Sequence, residues 1–411
     1  MDKANSALAM LLRQSLTSSE PESSAEPLKI EEWDDVIKLS ESHKVTGLLF
    51  DTVSRRGDVP DTVSDAVRKA ALKTAAQDFR LLFLSRDILN TFETSGIPAV
   101  LLKGMGTASF YTNPLSRKSG DVDILIADEA RIDEAVCLLE KHGFKVKERQ
   151  FALHHIVMVT DDDIDIELHT MLAEPFDNEK VNSLLRLQQN SLTVTDDEGK
   201  KILNNEFIKR IEVLGAGLTV LEDAYHAYEL LLHMLQHYLR KGFGVRLLCD
   251  WVVFWNSVNS MDTVNRYLWL VRNSGIKGFS DMITLECYRY LGLKKACAAW
   301  LKPEESKLTK GDIDKFWNEF ISYGEFGKGS GDRMVALRGN GLFDYLREFQ
   351  HQMRLNYPRE SRFLLIRPVL YLITLIRFLI NNRKVRSTSL GAVLKSAGQR
   401  GKMINKLKLF S

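Results

Sequence analysis

The sequence predicts an α+β protein in which a small mixed-sheet core is flanked by N- and C-terminal helical domains. Three observations predict it: apolar residues recur at helical spacing before residue 96 and again after residue 219, strand-length apolar runs cluster between them, and glycine-bearing turns separate those runs.

Residues 1–27 end in the polar stretch TSSEPESSAEP and are expected to be a flexible lead-in. Residues 28–95 form an N-terminal helical domain, where Trp33, Val36, Ile37 and Leu39 open the periodic pattern and Val45, Leu48, Leu49 and Val53 continue it. A longer helix is predicted over 61–95, with Asp61 as N-cap and Gly96 just past its end. The core spans 96–205. It begins with the strand IPAVLL, the turn KGMG and a helix to about Tyr111, followed by the loop TNPLSRKSG, the strand DVDILIA and a helix from about Asp128 to His142. FKVKERQ, HHIVMVT and DIDIELH read as three more strands, the last two joined by the acidic turn Asp161 to Asp163. A helical domain covers 206–350, interrupted by the glycine-rich FGKGSGDR, and a basic amphipathic tail covers 351–411.

At 411 residues and 45% hydrophobic the chain has enough apolar material for a sizeable core, and 27% charged residues are ordinary for a globular protein. Its net charge of +2 is unevenly spread. From Arg354 onward thirteen Lys and Arg stand against Glu360 alone, a charge of +12, which leaves the first 353 residues at −10. An acidic body excludes broad nucleic-acid binding, since neutralising phosphates takes basic side chains over the whole binding face. Cys137, Cys249, Cys287 and Cys297 have no CxxC spacing and lie in helix-like or apolar surroundings. Buried free thiols in a reducing compartment are expected, and the N-terminus lacks the shape of a secretory signal, so the cytoplasm is the expected location. In the tail, residues 363–380 are strongly apolar but broken by Arg367, Pro368 and Arg377, a poor membrane span. With the flanks NNRKVR and KMINKLKLF they fit an interfacial helix drawn to anionic lipid at the inner face of the membrane, or to a protein partner; a buried helix with solvated basic ends fits equally.

The chemistry concentrates in acidic residues of the core. Alternation along a strand points Asp121 and Asp123 the same way, and likewise Asp165 and Glu167. Neighbouring carboxylates repel, so such a wall belongs at the surface or around a cation, and magnesium, a hard ion with oxygen ligands, suits it. Two acids with a third from an adjacent strand are what metal-assisted phosphoryl or nucleotidyl transfer requires. Upstream, Lys103, Gly104, Gly106 and Thr107 lie where a strand runs into glycines and a helix, an arrangement in which backbone N–H groups and a lysine hold phosphate. Exposed strands also carry alternating acids, and a surface lysine often follows a strand, so each element has a plain structural reading.

Together these residues resemble the polymerase-β-like nucleotidyltransferase superfamily, in particular a large bacterial family with Leu-Lys-Gly, Arg, Asp-x-Asp and Glu-x-His in order. Here these are Leu102-Lys103-Gly104, Arg117, Asp121-Val122-Asp123 and Glu167-Leu168-His169, and the resemblance extends from His43 upstream to His237, Arg246 and Asp250 downstream. The superfamily's glycine-serine turn is replaced by Lys103-Gly104. The resemblance implies magnesium on Asp121, Asp123 and Glu167, phosphates held by Lys103, Gly104 and Arg117, and an acceptor or cleft near His169, His237, Arg246 and Asp250. It implies transfer of a nucleotidyl group from an NTP to an unknown acceptor, with links to surface polysaccharide or specialised metabolite synthesis. Asp165 remains an alternative third acid. One of His154 and His155 faces the acidic strand, while His233 and His237, one turn apart, are either metal ligands or a polar stripe along a cleft. Arg246 and Asp250 alternatively pair on a helix surface. A catalytically silent membrane-apposed scaffold and a kinase are the other functions the sequence allows.

Overall fold

The computed structural model describes residues 3–17, 30–150, 155–176, 178–240, 242–303 and 308–323, then 350, 353–354, 357, 360–374, 376 and 403–410. FGKGSGDR, His154 and most of the basic tail lie outside the described residues.

The chain opens with α1 (Lys3–Thr17), α2 (Ile30–Ser42), α3 (Phe50–Ser54) and the long α4 (Asp61–Thr94). The first of these corrects the expected lead-in: Ala4, Leu8, Leu11 and Leu12 recur at helical spacing and are buried, so residues 3–17 are part of the core. The start of α4 also differs, because Pro60 occupies the cap position with extended backbone and Asp61 is already helical. Gly96 follows its end in the left-handed conformation, as expected.

The core elements are β1 (Ala99–Leu101), α5 (Met105–Ala108), β2 (Val122–Ile126), α6 (Ile132–Lys141), β3 (Lys145–Gln150), β4 (His155–Val159), β5 (Asp165–His169), α7 (Glu179–Ser191), β6 (Thr193–Thr195) and β7 (Lys201–Leu203). They continue past the expected boundary at 205. β8 (Ile208–Val213) and β9 (Ala216–Leu221) form a hairpin, turned by Leu214 and Gly215 at positive φ, and complete a seven-stranded mixed sheet in the order β3-β4-β5-β2-β1-β9-β8. The pairs β2–β5 and β1–β9 are parallel and the others antiparallel. Residues 208–221 therefore belong to the sheet, not to the following helical part.

Strand alternation divides the sheet's side chains. Val122, Ile124, Ile126, Ile166 and Leu168 pack beneath α4 and α6 in one apolar core. Leu125 points the other way, into a larger core built by α1, α2 and the helices α8 (Asp223–Arg240), α9 (Val245–Ser257), α10 (Met261–Asn273), α11 (Lys277–Tyr290), α12 (Lys295–Trp300) and α13 (Lys310–Tyr323). In that core Trp251, Trp255 and Tyr267 meet edge to face, each aromatic contact adding about 0.5–1.5 kcal/mol to simple burial. N- and C-terminal helices share this one core, and His43 joins them. Its Nδ1 accepts from Val245 N at 3.2 Å, so its Nε2 carries the proton donated to Ile321 O at 3.0 Å.

Three cysteines are buried as expected, but Cys137 is exposed on α6. Among the described residues no helix is long and apolar enough to cross a membrane. Part of the tail is not a tail: Met403, Ile404 and Leu407, from the stretch expected to flank an interfacial helix, are buried in the larger core. Lys406 pairs with Asp312, and Phe410 N donates to Gly275 O at 2.7 Å.

Candidate active site

The sheet face opposite α4 and α6 becomes polar at the end where β2 and β5 run side by side. Asp123 and Glu167 are directly paired across these parallel strands, so their side chains project together; Asp121, just before β2, follows on the same face. They line a cavity of about 500 Å³ closed from above by α8 and α9. Asp165 shares the face of Glu167 but is held by Lys147, 2.7 Å from its nearer oxygen, and does not line the cavity.

Cations reach the acids from β1. Gly104 takes φ +57, which a residue with a Cβ adopts only at a cost, and the turn it makes returns Lys103 over the sheet. Lys103 Nζ lies 3.3 Å from Asp123 Oδ1 and 3.3 Å from His233 Nδ1. Burial alone would depress this lysine, but Asp123, then Glu229, Asp121 and Glu167, outweigh it and hold it above its ordinary value, fully charged. Burial would raise Asp123; Lys103 and a hydrogen bond donated by His169 Nε2 at 2.9 Å outweigh it and keep the carboxylate ionised well below the usual range. Asp121 goes the other way, raised by burial and by the charge of Asp123. Glu167 is likewise raised, to about 7, by burial first and Asp123 second. One acid is thus satisfied and two are short of positive charge.

The expected phosphate turn is smaller than the sequence suggests. α5 is a single turn, so its dipole is slight, and the basic residues that line the cavity are Lys44, Lys103, Arg117, Lys118 and Arg246. Arg117, expected to hold phosphate, lines the cavity with its guanidinium engaged by a buried acid. Its guanidinium donates to both oxygens of Asp250 at 2.8 and 2.9 Å and to Ser119 Oγ at 3.0 Å, and its side chain is 4% exposed. Tyr111 donates to the same carboxylate at 2.7 Å. Asp250 is therefore part of a buried ion pair, neither a cleft residue nor a helix-surface partner. The pair pins the loop 112–120, whose Ser119 N bonds Asp78.

Of the histidines, His155, His169, His233 and His237 line the cavity, while His226 is buried between Phe110 and Phe254 and held neutral, its value lowered to about 3 by burial and Lys209. His233 and His237 stack edge to face, with ring centroids 4.4 Å apart, as a polar stripe on α8. Glu229, one turn before His233, is a cavity residue that sequence reasoning missed, as it did Lys44 and Lys118. It is 2% exposed, its Oε2 has no hydrogen-bond partner among the described residues, and burial raises it to about 8. Its only sequence signal is a charge inside the apolar run YELLLHML.

Carboxylates and basic residues thus line one cavity on the α+β sheet. The chain belongs to the uncharacterised nucleotidyltransferase family, which matches residues 30–291, more than half its length and all of the site. A solved structure, an antigenic nucleotidyltransferase-like protein from Paracoccidioides brasiliensis, is similar over 52% of this chain and 93% of its own, at 15% identity and a TM-score of 0.29, too distant a likeness to argue from. No curated protein matches the chain.

Proposed function

We propose that the protein transfers a nucleotidyl group from an NTP to an acceptor hydroxyl or phosphate, with the polymerase-β-like arrangement of a divalent ion on an acidic wall. The observation that carries this is the register of Asp123 against Glu167 beside Lys103, inside a cavity that also presents Arg246. Asp121, Asp123 and Glu167 offer the hard oxygens that magnesium takes and would have to draw together to share one ion, and the raised Asp121 and Glu167 are the acids that an added cation relieves. A magnesium ion held by these residues would supply stabilisation of the negative charge that develops on phosphate oxygens. The chain's own residues do the rest. Lys103 and Arg246 attract and orient the triphosphate, Lys103 keeps Asp123 ionised, and Glu167, which lines the same cavity, takes the proton of the acceptor hydroxyl.

The test is incubation with each NTP and magnesium, following label at the α- and γ-phosphates. Transfer of α-label with release of pyrophosphate is expected. Transfer of γ-label would make the protein a kinase, and no transfer with any acceptor fraction would leave a scaffold.

The same protein is proposed to work beside an anionic membrane, on the inner face. Phe363, Leu364 and Leu365 are 68%, 72% and 94% exposed, and Val369, Leu372 and Ile376 are also exposed, next to a stretch of sequence rich in Lys and Arg. A surface polysaccharide precursor or a specialised metabolite is the acceptor class in keeping with that location.

A further inference from the structure

We infer that the cavity contains a nitrogen-bearing cation site, formed by His155, Glu167 and His169, which takes a first-row transition ion such as manganese, cobalt or zinc in preference to magnesium. It deepens the function proposed above but draws only Glu167 from it.

The backbone makes the site. β4 and β5 are antiparallel with His155 directly opposite His169, so the two imidazoles leave the same face, with ring centroids 5.5 Å apart. Glu167, two residues along β5, shares that face. One donor atom from each residue lies within 4.8 Å of the others, and among the described residues this is the grouping of His, Cys, Asp and Glu that comes close enough to share an ion. Asp121 and Asp123 stand outside it. Nitrogen and oxygen donors sit about 2.0–2.2 Å from a transition ion, so closure around one takes side-chain rotation of an ångström or two and no movement of the strands.

Two further features suit a metal. His169 Nε2 lies 3.5 Å from Glu167 Oε2 and 2.9 Å from Asp123 Oδ1, so this edge of the imidazole already faces the carboxylate it would share an ion with. The site opens on the cavity that holds Lys103 and Arg246, so protein supplies three ligands and leaves positions for water or a phosphate oxygen. Imidazole is a poor ligand for magnesium and a good one for manganese, cobalt and zinc, which sets the preference.

Cobalt titration of the full chain, read by visible absorption, tests this. One tightly bound cobalt with nitrogen-perturbed bands is expected, resisting millimolar magnesium, weakened at least about tenfold by His155→Ala and retained in Asp121→Asn. No stoichiometric cobalt in the wild-type chain, or equal binding by His155→Ala, would overturn the inference. Because His155→Ala could disturb β4, pulsed electron paramagnetic resonance of the manganese-loaded wild-type protein gives a variant-free readout. Coupling to imidazole nitrogen is expected, and its absence overturns the site. Nucleotidyl transfer with magnesium but no nitrogen-bound metal sinks this inference and leaves the proposed function standing; the converse result separates them the other way.

Discussion

Asp123 receives a hydrogen bond from His169 and lies beside the charge of Lys103, so its substitution disturbs three side chains at once. Asp123→Asn keeps the shape and the acceptor oxygen but removes the charge. Pyrophosphate release should fall by about a thousandfold or more, while the melting temperature should move by only a few degrees, since the amide has the same shape and keeps an acceptor for His169. Glu229 makes a prediction about pH. Its value in the folded protein is raised from 4.5 to about 8 by burial, so the folded state holds a proton that the unfolded state has lost. Stability that this group supports is therefore complete below about 4.5 and declines as pH rises to about 8. Glu229→Gln has no such decline. Melting curves at a series of pH values should show the variant gaining on wild type across that window, to the order of a few kcal/mol at the alkaline end, and a constant difference would refute the buried-acid account. Asp121, Asp123, Glu167 and Lys103 were legible in the sequence because strand alternation and a strand-to-glycine turn are local patterns. Glu229 was not, because a single acid in an apolar helix means nothing until Lys103 and Asp123 are brought across from the sheet.

The loop 112–120 depends on a contact that sequence spacing conceals. Arg117 and Asp250 lie 133 residues apart, so each was legible as a position of the family resemblance and their pairing was not. Arg117→Ala would leave Asp250 buried and uncompensated, and urea unfolding should report a loss of about 3–5 kcal/mol, far more than a surface phosphate-binding arginine would cost. The hairpin β8–β9 shows the same limit at the level of strands. Its alternation and its Leu214-Gly215 turn are present in the sequence, but the parallel pairing of β9 with β1 is a long-range choice that neither strand announces. The helix α1 was missed because its apolar face is short and followed by polar sequence; its partners α2, α3 and α9 give that face its meaning. For the exposed run Phe363 to Ile366, Leu364→Glu with Leu365→Glu should abolish flotation with vesicles containing anionic lipid and leave the fold unchanged, since both side chains are exposed. Undiminished flotation would remove the membrane from the proposal.

At the scale of the molecule, the chain closes on itself. The helices that begin it and those that follow the sheet bury one apolar core, with His43 bridging α9 and the end of α13, and residues 403–410 return to lie against α11. There Gly278 touches the backbone of Leu407, and a methyl group at that position would overlap its carbonyl oxygen. Gly278→Ala should accordingly lower the melting temperature, with a cost of about 1–3 kcal/mol, and speed protease cleavage near residue 403. The same seam bears on how the protein is cut down for study. A chain shortened to leave out the basic region also loses Met403, Ile404 and Leu407, exposing an oily slot along α11. Such a fragment should clump when expressed, and its silence in an assay would report poor solubility while saying nothing about the carboxylates.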